Sequence, residues 1–297
     1  MFPTIPANSA AASSGNQEGI FGYGYGVAIS AITNLVSNTG VVAADTAGVG
    51  TPRYELAGCE YGGDKGIFGF GISGSVRGMT NLVSNAGVVA SDVAAVGTAR
   101  NGLAATEYGE DKGIFGFGDT GSYTAVTNLV SNAGVVASDV AGVGTARKYS
   151  AACGYGEDKG IFGFGWTGSA ASMTNLVSNA GVVASDVAGV GTARYAVGAC
   201  EYDGDKGIFG YGNSGSVTAV TNLVSNAGVV ASDVAGVGTA RSYVQGCEYG
   251  GNKGIFGYGQ SLSTTFLTNL VSNAGVVASD VAGVGTARTY YAACSFN

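Results

Sequence analysis

One 47-residue unit is repeated six times without insertion or deletion, and this limits the possible folds more than any other feature of the chain. The first Gly of Gly-Ile-Phe-Gly falls at Gly19, Gly66, Gly113, Gly160, Gly207 and Gly254. Thr-Asn-Leu-Val-Ser-Asn starts at Thr33, Thr80, Thr127, Thr174, Thr221 and Thr268 (Asn34 through Asn269 follow), and an Arg ends each unit at Arg53, Arg100, Arg147, Arg194, Arg241 and Arg288. A unit this short cannot bury its apolar surface alone and must stack against its neighbours. Apolar residues at helical spacing are missing, whereas short runs rich in Val, Phe, Tyr and Thr, broken by Gly, Asn and Asp, read as strands and turns. In unit two the pattern predicts strands over 54–61, 65–70, 79–84 and 88–93. Four strands per unit and six units predict an all-β, six-bladed β-propeller.

The ends of the chain predict how the ring closes. Residues 289–296 are a first strand with no second strand after them, so they are expected to complete the blade begun near residue 18, with Phe296 where the other units have Tyr61, Tyr108, Tyr155, Tyr202 and Tyr249. Closure of this kind removes unpaired sheet edges. The expected domain is 18–297, preceded by a surplus Ala/Ser-rich segment, 1–17, that reads either as a tail or as an arm docking on a neighbour. The core is expected from Ile67, Phe68, Phe70, Leu82, Val83, Val88, Val89 and their copies, with the glycines beside Phe68 and Phe70 marking close approach of another chain segment.

The segment from Arg100 to Gly118, with its small-residue strand, Tyr-Gly turn and Lys-Gly-Ile-Phe-Gly-Phe-Gly, resembles the start of a kelch motif, although here a Phe or Tyr splits the Gly pair and the usual Trp is absent. The whole unit, through Thr-Asn-Leu-Val-Ser-Asn-Ala-Gly-Val-Val-Ala-Ser-Asp-Val-Ala-Gly-Val-Gly-Thr-Ala-Arg, more closely resembles kelch-like repeat proteins of tailed bacteriophages, particularly those of marine cyanobacteria. The resemblance covers about residues 18–297. It implies a kelch-like fold and a virion structural or fibre-associated protein, assembled in the host cytoplasm and partnered by other virion proteins.

The residues themselves argue against several chemistries. The chain has no His, which removes Ser-His-Asp and Cys-His machinery and the commonest transition-metal ligand. Cys59, Cys153, Cys200, Cys247 and Cys294 occupy one repeat-equivalent position, with Thr106 in the sixth place. Neighbouring copies in a six-fold ring are expected to stand farther apart than the roughly 4.4–6.8 Å between Cα atoms that a disulfide needs, so free buried thiols are predicted. Gly-x-Gly-x-x-Gly occurs from Gly69, Gly116, Gly163 and Gly210, but a strand is predicted after each, where a nucleotide fold has a helix N-terminus. A net charge of −7 without a basic stripe argues against nucleic acid. No apolar run reaches about 18 residues and the start has no signal-peptide pattern, which argues against a membrane. No cofactor or catalytic residue is expected.

Two sets of residues remain. Asp45, Asp92, Asp139, Asp186, Asp233 and Asp280 each precede an Arg by eight residues. The sets Asp92/Arg100, Asp139/Arg147, Asp186/Arg194, Asp233/Arg241 and Asp280/Arg288 are read as a device locking the fourth strand to the next blade, the alternative being a ring of charges around a central channel. The second set is where the units differ: the link between strands two and three, and the residues after the Arg. Up-and-down connectivity brings both to one rim, leaving the near-invariant turns on the other. Arg77, Asp119, Tyr123, Trp166, Asn213, Gln260 and Phe266 are the candidate partner contacts, the alternative being relaxed constraint on solvent loops. The functional expectation is a non-enzymatic virion appendage, or alternatively a carbohydrate-binding propeller recognising a host surface glycan.

Overall fold

The computed structural model describes residues 17–296; the proposed arm at 1–17, apart from Gln17, and Asn297 lie outside them. Among the described residues the chain is all-β and has no helix. Six three-stranded antiparallel sheets are consistent with a six-bladed propeller. The middle strands Glu18–Tyr25, Lys65–Gly69, Lys112–Gly116, Lys159–Trp166, Lys206–Gly210 and Lys253–Gly257 number the blades one to six. The inner strand of blade two, for example, is Ala57–Tyr61 and its outer strand is Thr80–Val83.

The blades have three strands, not the expected four. After the outer strand the chain turns back, but its backbone pairs with that strand only at the bridges Val83↔Val89 and Thr80↔Val93. Between them the Asn81 side-chain amide donates to the Ala90 carbonyl at 3.0 Å and to Asp92 Oδ1 at 2.9 Å. A side chain thus fills the space where a ladder would run. The returning segment lies open to solvent, and Val88, an expected core residue, is 65% exposed while Val89 beside it is buried.

In blade one the inner strand Ala292–Phe296 pairs with Glu18–Tyr25, opposing Phe296 to Glu18, so the blade draws on both ends of the described chain. Among the described residues no sheet closes on itself, and each ladder ends at its blade. The six inner strands nevertheless neighbour one another in cyclic order, with that of blade one packed between those of blades six and two.

The seams between blades explain Gly-Ile-Phe-Gly. A Cβ on Gly113 would stand 2.6 Å from Cys59 Sγ of the blade before, and one on Gly116 would stand 2.7 Å from the Phe162 ring of the blade after. Larger residues would overpack both contacts. The relation repeats around the circle, with Gly66 against Cys294 and Gly257 against Phe21. The five cysteines are buried and free, as expected, and burial pushes their thiols up.

The residue that splits the Gly pair is left-handed, for instance Phe70 with φ 65° and Phe117 with φ 63°. In blades one and four the strand register shifts there, a bulge that turns the ring inward. An Arg from the end of the unit covers each of these rings: Arg100 lies 4.3 Å above the centre of Phe70 and donates from Nε to the Phe117 carbonyl of the next blade at 2.9 Å. All six Arg side chains are essentially fully buried. Burial lowers the Arg100 guanidinium to about 10, with Asp139 opposing the shift, so it remains a cation at neutral pH. A desolvated cation on a ring face contributes about 2 kcal/mol.

Candidate functional site: the variable face

The two segments in which the units differ pair with each other. The residue after each Arg bridges the residue after the split Gly pair: Tyr54↔Ile72, Asn101↔Asp119, Lys148↔Trp166, Tyr195↔Asn213, Ser242↔Gln260 and Tyr25↔Thr289. The strands therefore deliver all twelve positions to one face.

The next position inward forms a hub. Glu55, Gly102, Tyr149, Ala196, Tyr243 and Tyr290 are all left-handed. Their backbones bond head to tail, with Glu55 N–H to Tyr290 O at 2.7 Å, Gly102 to Glu55 at 2.9 Å, Tyr149 to Gly102 at 2.7 Å, Ala196 to Tyr149 at 3.0 Å and Tyr243 to Ala196 at 2.8 Å. Tyr149, Tyr243 and Tyr290 pack over the axis, with ring centres 4.0 Å apart for Tyr243 and Tyr290 and 5.5 Å apart for Tyr149 and Tyr243. Tyr149 Oη donates to Glu55 Oε1 at 3.0 Å, and Asn101 Nδ2 also donates to that carboxylate. Burial pushes the Glu55 carboxyl up against the opposing effect of these two donors and Lys148. Below this plug is a cavity of about 30 Å³, room for a water.

Around the hub, the residue after the split Gly pair reaches the next blade's residue after the Arg: Tyr25 meets Tyr54 at 5.8 Å and Trp166 meets Tyr195 at 4.9 Å between ring centres, and Asp119 Oδ2 lies 2.9 Å from Lys148 Nζ. Tyr54 in turn touches Tyr290 at 6.1 Å, and Tyr195 touches Tyr149 at 6.4 Å. One aromatic network thus crosses the face from Tyr25 to Trp166. Lys148 Nζ also stands 5.4 Å from the centre of the Tyr123 ring, which is 36% exposed. Burial tends to raise the Asp119 carboxyl, but Lys148 and the Gly121 N–H outweigh it and hold it below the usual carboxylate range.

Of the seven residues singled out from the sequence, Asp119, Tyr123 and Trp166 are drawn together around Lys148. The other four make local contacts on other blades. Arg77 donates to Ser73 O at 2.8 Å just after the short ribbon Ile72–Ser73/Ser75–Val76, Asn213 accepts from the Gly215 N–H at 2.8 Å, Gln260 bridges Ser242, and Phe266 is 43% exposed. Glu55, Tyr149, Tyr243 and Tyr290 were not singled out, although they stand in the variable stretch after the Arg and that variation was their signal.

The Asp and Arg sets are at the seams, away from the axis. Each Asp faces the Arg of the preceding unit and not the one eight residues later: Asp92 is 3.9 Å from Arg53, Asp186 4.0 Å from Arg147, Asp233 3.7 Å from Arg194, and Asp280 3.6 Å from Arg241. Asp139 and Asp45 feel the charges of Arg100 and Arg288 in the same way. Asp92 also accepts from the Thr51 hydroxyl at 2.6 Å, tying its blade to the link before it. Burial tends to raise Asp92, and bonds from Thr51 and Asn81 more than offset this.

Carboxylates do line the channel, but from a position the sequence reading passed over, seven residues after each Arg. Glu60, Glu107, Glu201 and Glu248, with Gly154 and Ser295, surround a cavity of about 60 Å³ toward the constant face. The missing side chain at Gly154 leaves room for the Glu107 and Glu201 carboxyls to meet, and a Cβ there would come 2.8 Å from Glu107 Oε1. Burial raises Glu201 well above the usual carboxylate range, and the charge and hydrogen bond of Glu107 raise it further. Among the described residues no His, Cys, Asp and Glu form a group of three or more placed to hold a metal ion. After each Gly-x-Gly-x-x-Gly comes a turn and a strand, with no helix N-terminus to receive a pyrophosphate.

No protein-family model matches the chain, and no curated protein matches it.

Proposed function

We propose that this chain is a non-enzymatic appendage protein of a tailed-phage virion, a closed kelch-like six-bladed propeller whose variable face contacts other virion proteins or the host surface. One observation carries the recognition part of this reading: six otherwise near-identical units place their two most variable segments on a single face, where these build one continuous network of aromatic rings flanked by Asp119, Lys148 and Glu55. Rigid aromatic surface with hydrogen-bonding groups at its edge is the usual composition of binding hot spots. The reading is non-enzymatic because the chain has no His and the space beneath the hub rings is only about 30 Å³. The virion assignment rests on the resemblance of the repeat unit to phage kelch-like proteins. Mass spectrometry and immunogold labelling of purified particles test it: stoichiometric peptides and gold at one defined position are expected, and absence from the particles overturns the assignment.

A further inference from the structure

We propose that the sector of the variable face where blades three, four and five meet binds a neutral pyranose of a surface glycan. The sugar would stack on the corner made by Trp166 and Tyr195, with its hydroxyls bonded by Asp119 and Lys148. This deepens the reading of the face as a recognition surface and rests on it. The two rings stand at 67° to each other, so they form a corner and not a stacked pair that would cover both faces. Lys148 is backbone-bridged to Trp166 and ion-paired to Asp119, which places an acceptor and a donor beside the aromatic corner. Both charged side chains are largely buried, 16% and 21% exposed, so their positions are fixed before a ligand arrives. Tyr123, whose ring centre lies 5.4 Å from Lys148 Nζ, supplies a third ring to the sector.

The chemistry of the sector selects the ligand class. A pyranose has an apolar C–H face and an equatorial belt of hydroxyls, each able to donate to a carboxylate and accept from an ammonium group, and this sector presents the complement of both. A sulfated or uronic glycan is disfavoured because Asp119 and Glu55 outnumber Lys148 here and the whole chain carries −7. A protein ligand would be expected to use aliphatic anchors as well, and the most exposed of these, Leu262 and Val27, belong to blades six and one.

The test is a glycan array followed by saturation-transfer NMR with methyl glycosides of glucose, galactose, mannose and N-acetylglucosamine, using the full chain. Binding to at least one neutral pyranose is expected, weakened about tenfold or more in Trp166→Ala and in Asp119→Asn, the change that follows from losing one charged hydrogen bond or one stacked ring. Val276→Ala, on the exposed returning segment of blade six, is expected to bind as wild type, and thermal unfolding of each variant separates loss of ligand from loss of fold. Failure of every neutral saccharide to bind, binding of acidic glycans alone, or affinity unchanged in both variants overturns the proposal. So does Trp166-dependent retention of a virion protein with no saccharide binding. Particle labelling is independent of this assay, so a virion protein that ignores sugars refutes the ligand without refuting the location.

Discussion

At the seam between blades two and three, Gly113 lies against Cys59, and the same Gly-on-small-side-chain contact recurs at every seam. On the variable face, the equivalent inter-blade contact is Tyr25 on Tyr54 in one place, an Asp119–Lys148 ion pair in another and Trp166 on Tyr195 in a third. Both regions join the same blades. At the seam two backbones and a ring share so little space that only Gly fits, while on the face the side chains meet at their tips, where many pairs fit equally well. Repeat identity is thus enforced where blades interlock and released where they only touch, and the released positions are the ones able to acquire a partner.

Several measurements would break or sharpen this contrast. Arg100→Ala should have the largest effect. It removes a buried cation from the Phe70 ring and leaves the Phe117 and Thr98 carbonyls without their donor, costing about 3 kcal/mol or more by analogy with large-to-small core changes. Denaturant unfolding measures this, and a loss no larger than that of a face variant would remove the distinction between the regions. Gly113→Ala should cost about 1–3 kcal/mol by overpacking, and Cys59→Ala in the same chain should restore part of the loss, because the collision is with Sγ. Asp92→Ala, which frees Thr51 and Asn81, should cost about 1 kcal/mol. Tyr123→Ala and Leu262→Ala should change stability by no more than about 0.5 kcal/mol, as exposed positions do.

Stability against pH separates the two kinds of carboxylate. Asp45, Asp92, Asp139, Asp186, Asp233 and Asp280 are held below their ordinary values, so their contribution is present above the usual carboxylate range and is lost as the pH falls through their folded values. Glu201 and Glu55 are raised, Glu201 the more strongly, so their contribution is present below their ordinary values and is lost as the pH rises through the folded ones. The expected curve falls at both ends. Glu201→Gln should flatten the alkaline limb and leave the acid limb in place, which unfolding midpoints between about pH 3 and pH 9 would reveal.

The repeat length, the strand periodicity and the Phe296 substitution were legible because each is local: alternation along a strand, glycine at a turn, an aromatic at an equivalent position. The same local reading placed both variable segments on one rim, where Asp119, Tyr123 and Trp166 are found. It erred where two local options were equivalent and a distant contact chose between them. Val88 and Val89 are adjacent valines, and the way the returning segment lies against the outer strand buries one and exposes the other. The fourth strand gave way to Asn81, whose amide takes the hydrogen bonds of a ladder that the sequence pattern alone would allow.

What the sequence by itself determined is the repeat, its all-β character and the positions free to differ, because these follow from periodicity and from comparing six copies within one chain. What only the tertiary structure decided is which copies meet. Asp92 had an Arg eight residues ahead and another thirty-nine behind, and the packing of one blade on the last selected Arg53. Glu55, Tyr149, Tyr243 and Tyr290, up to 235 residues apart in sequence, came together because six equivalent left-handed turns point at one axis. Convergence on an axis is a property of the assembled ring, and no single 47-residue unit contains it.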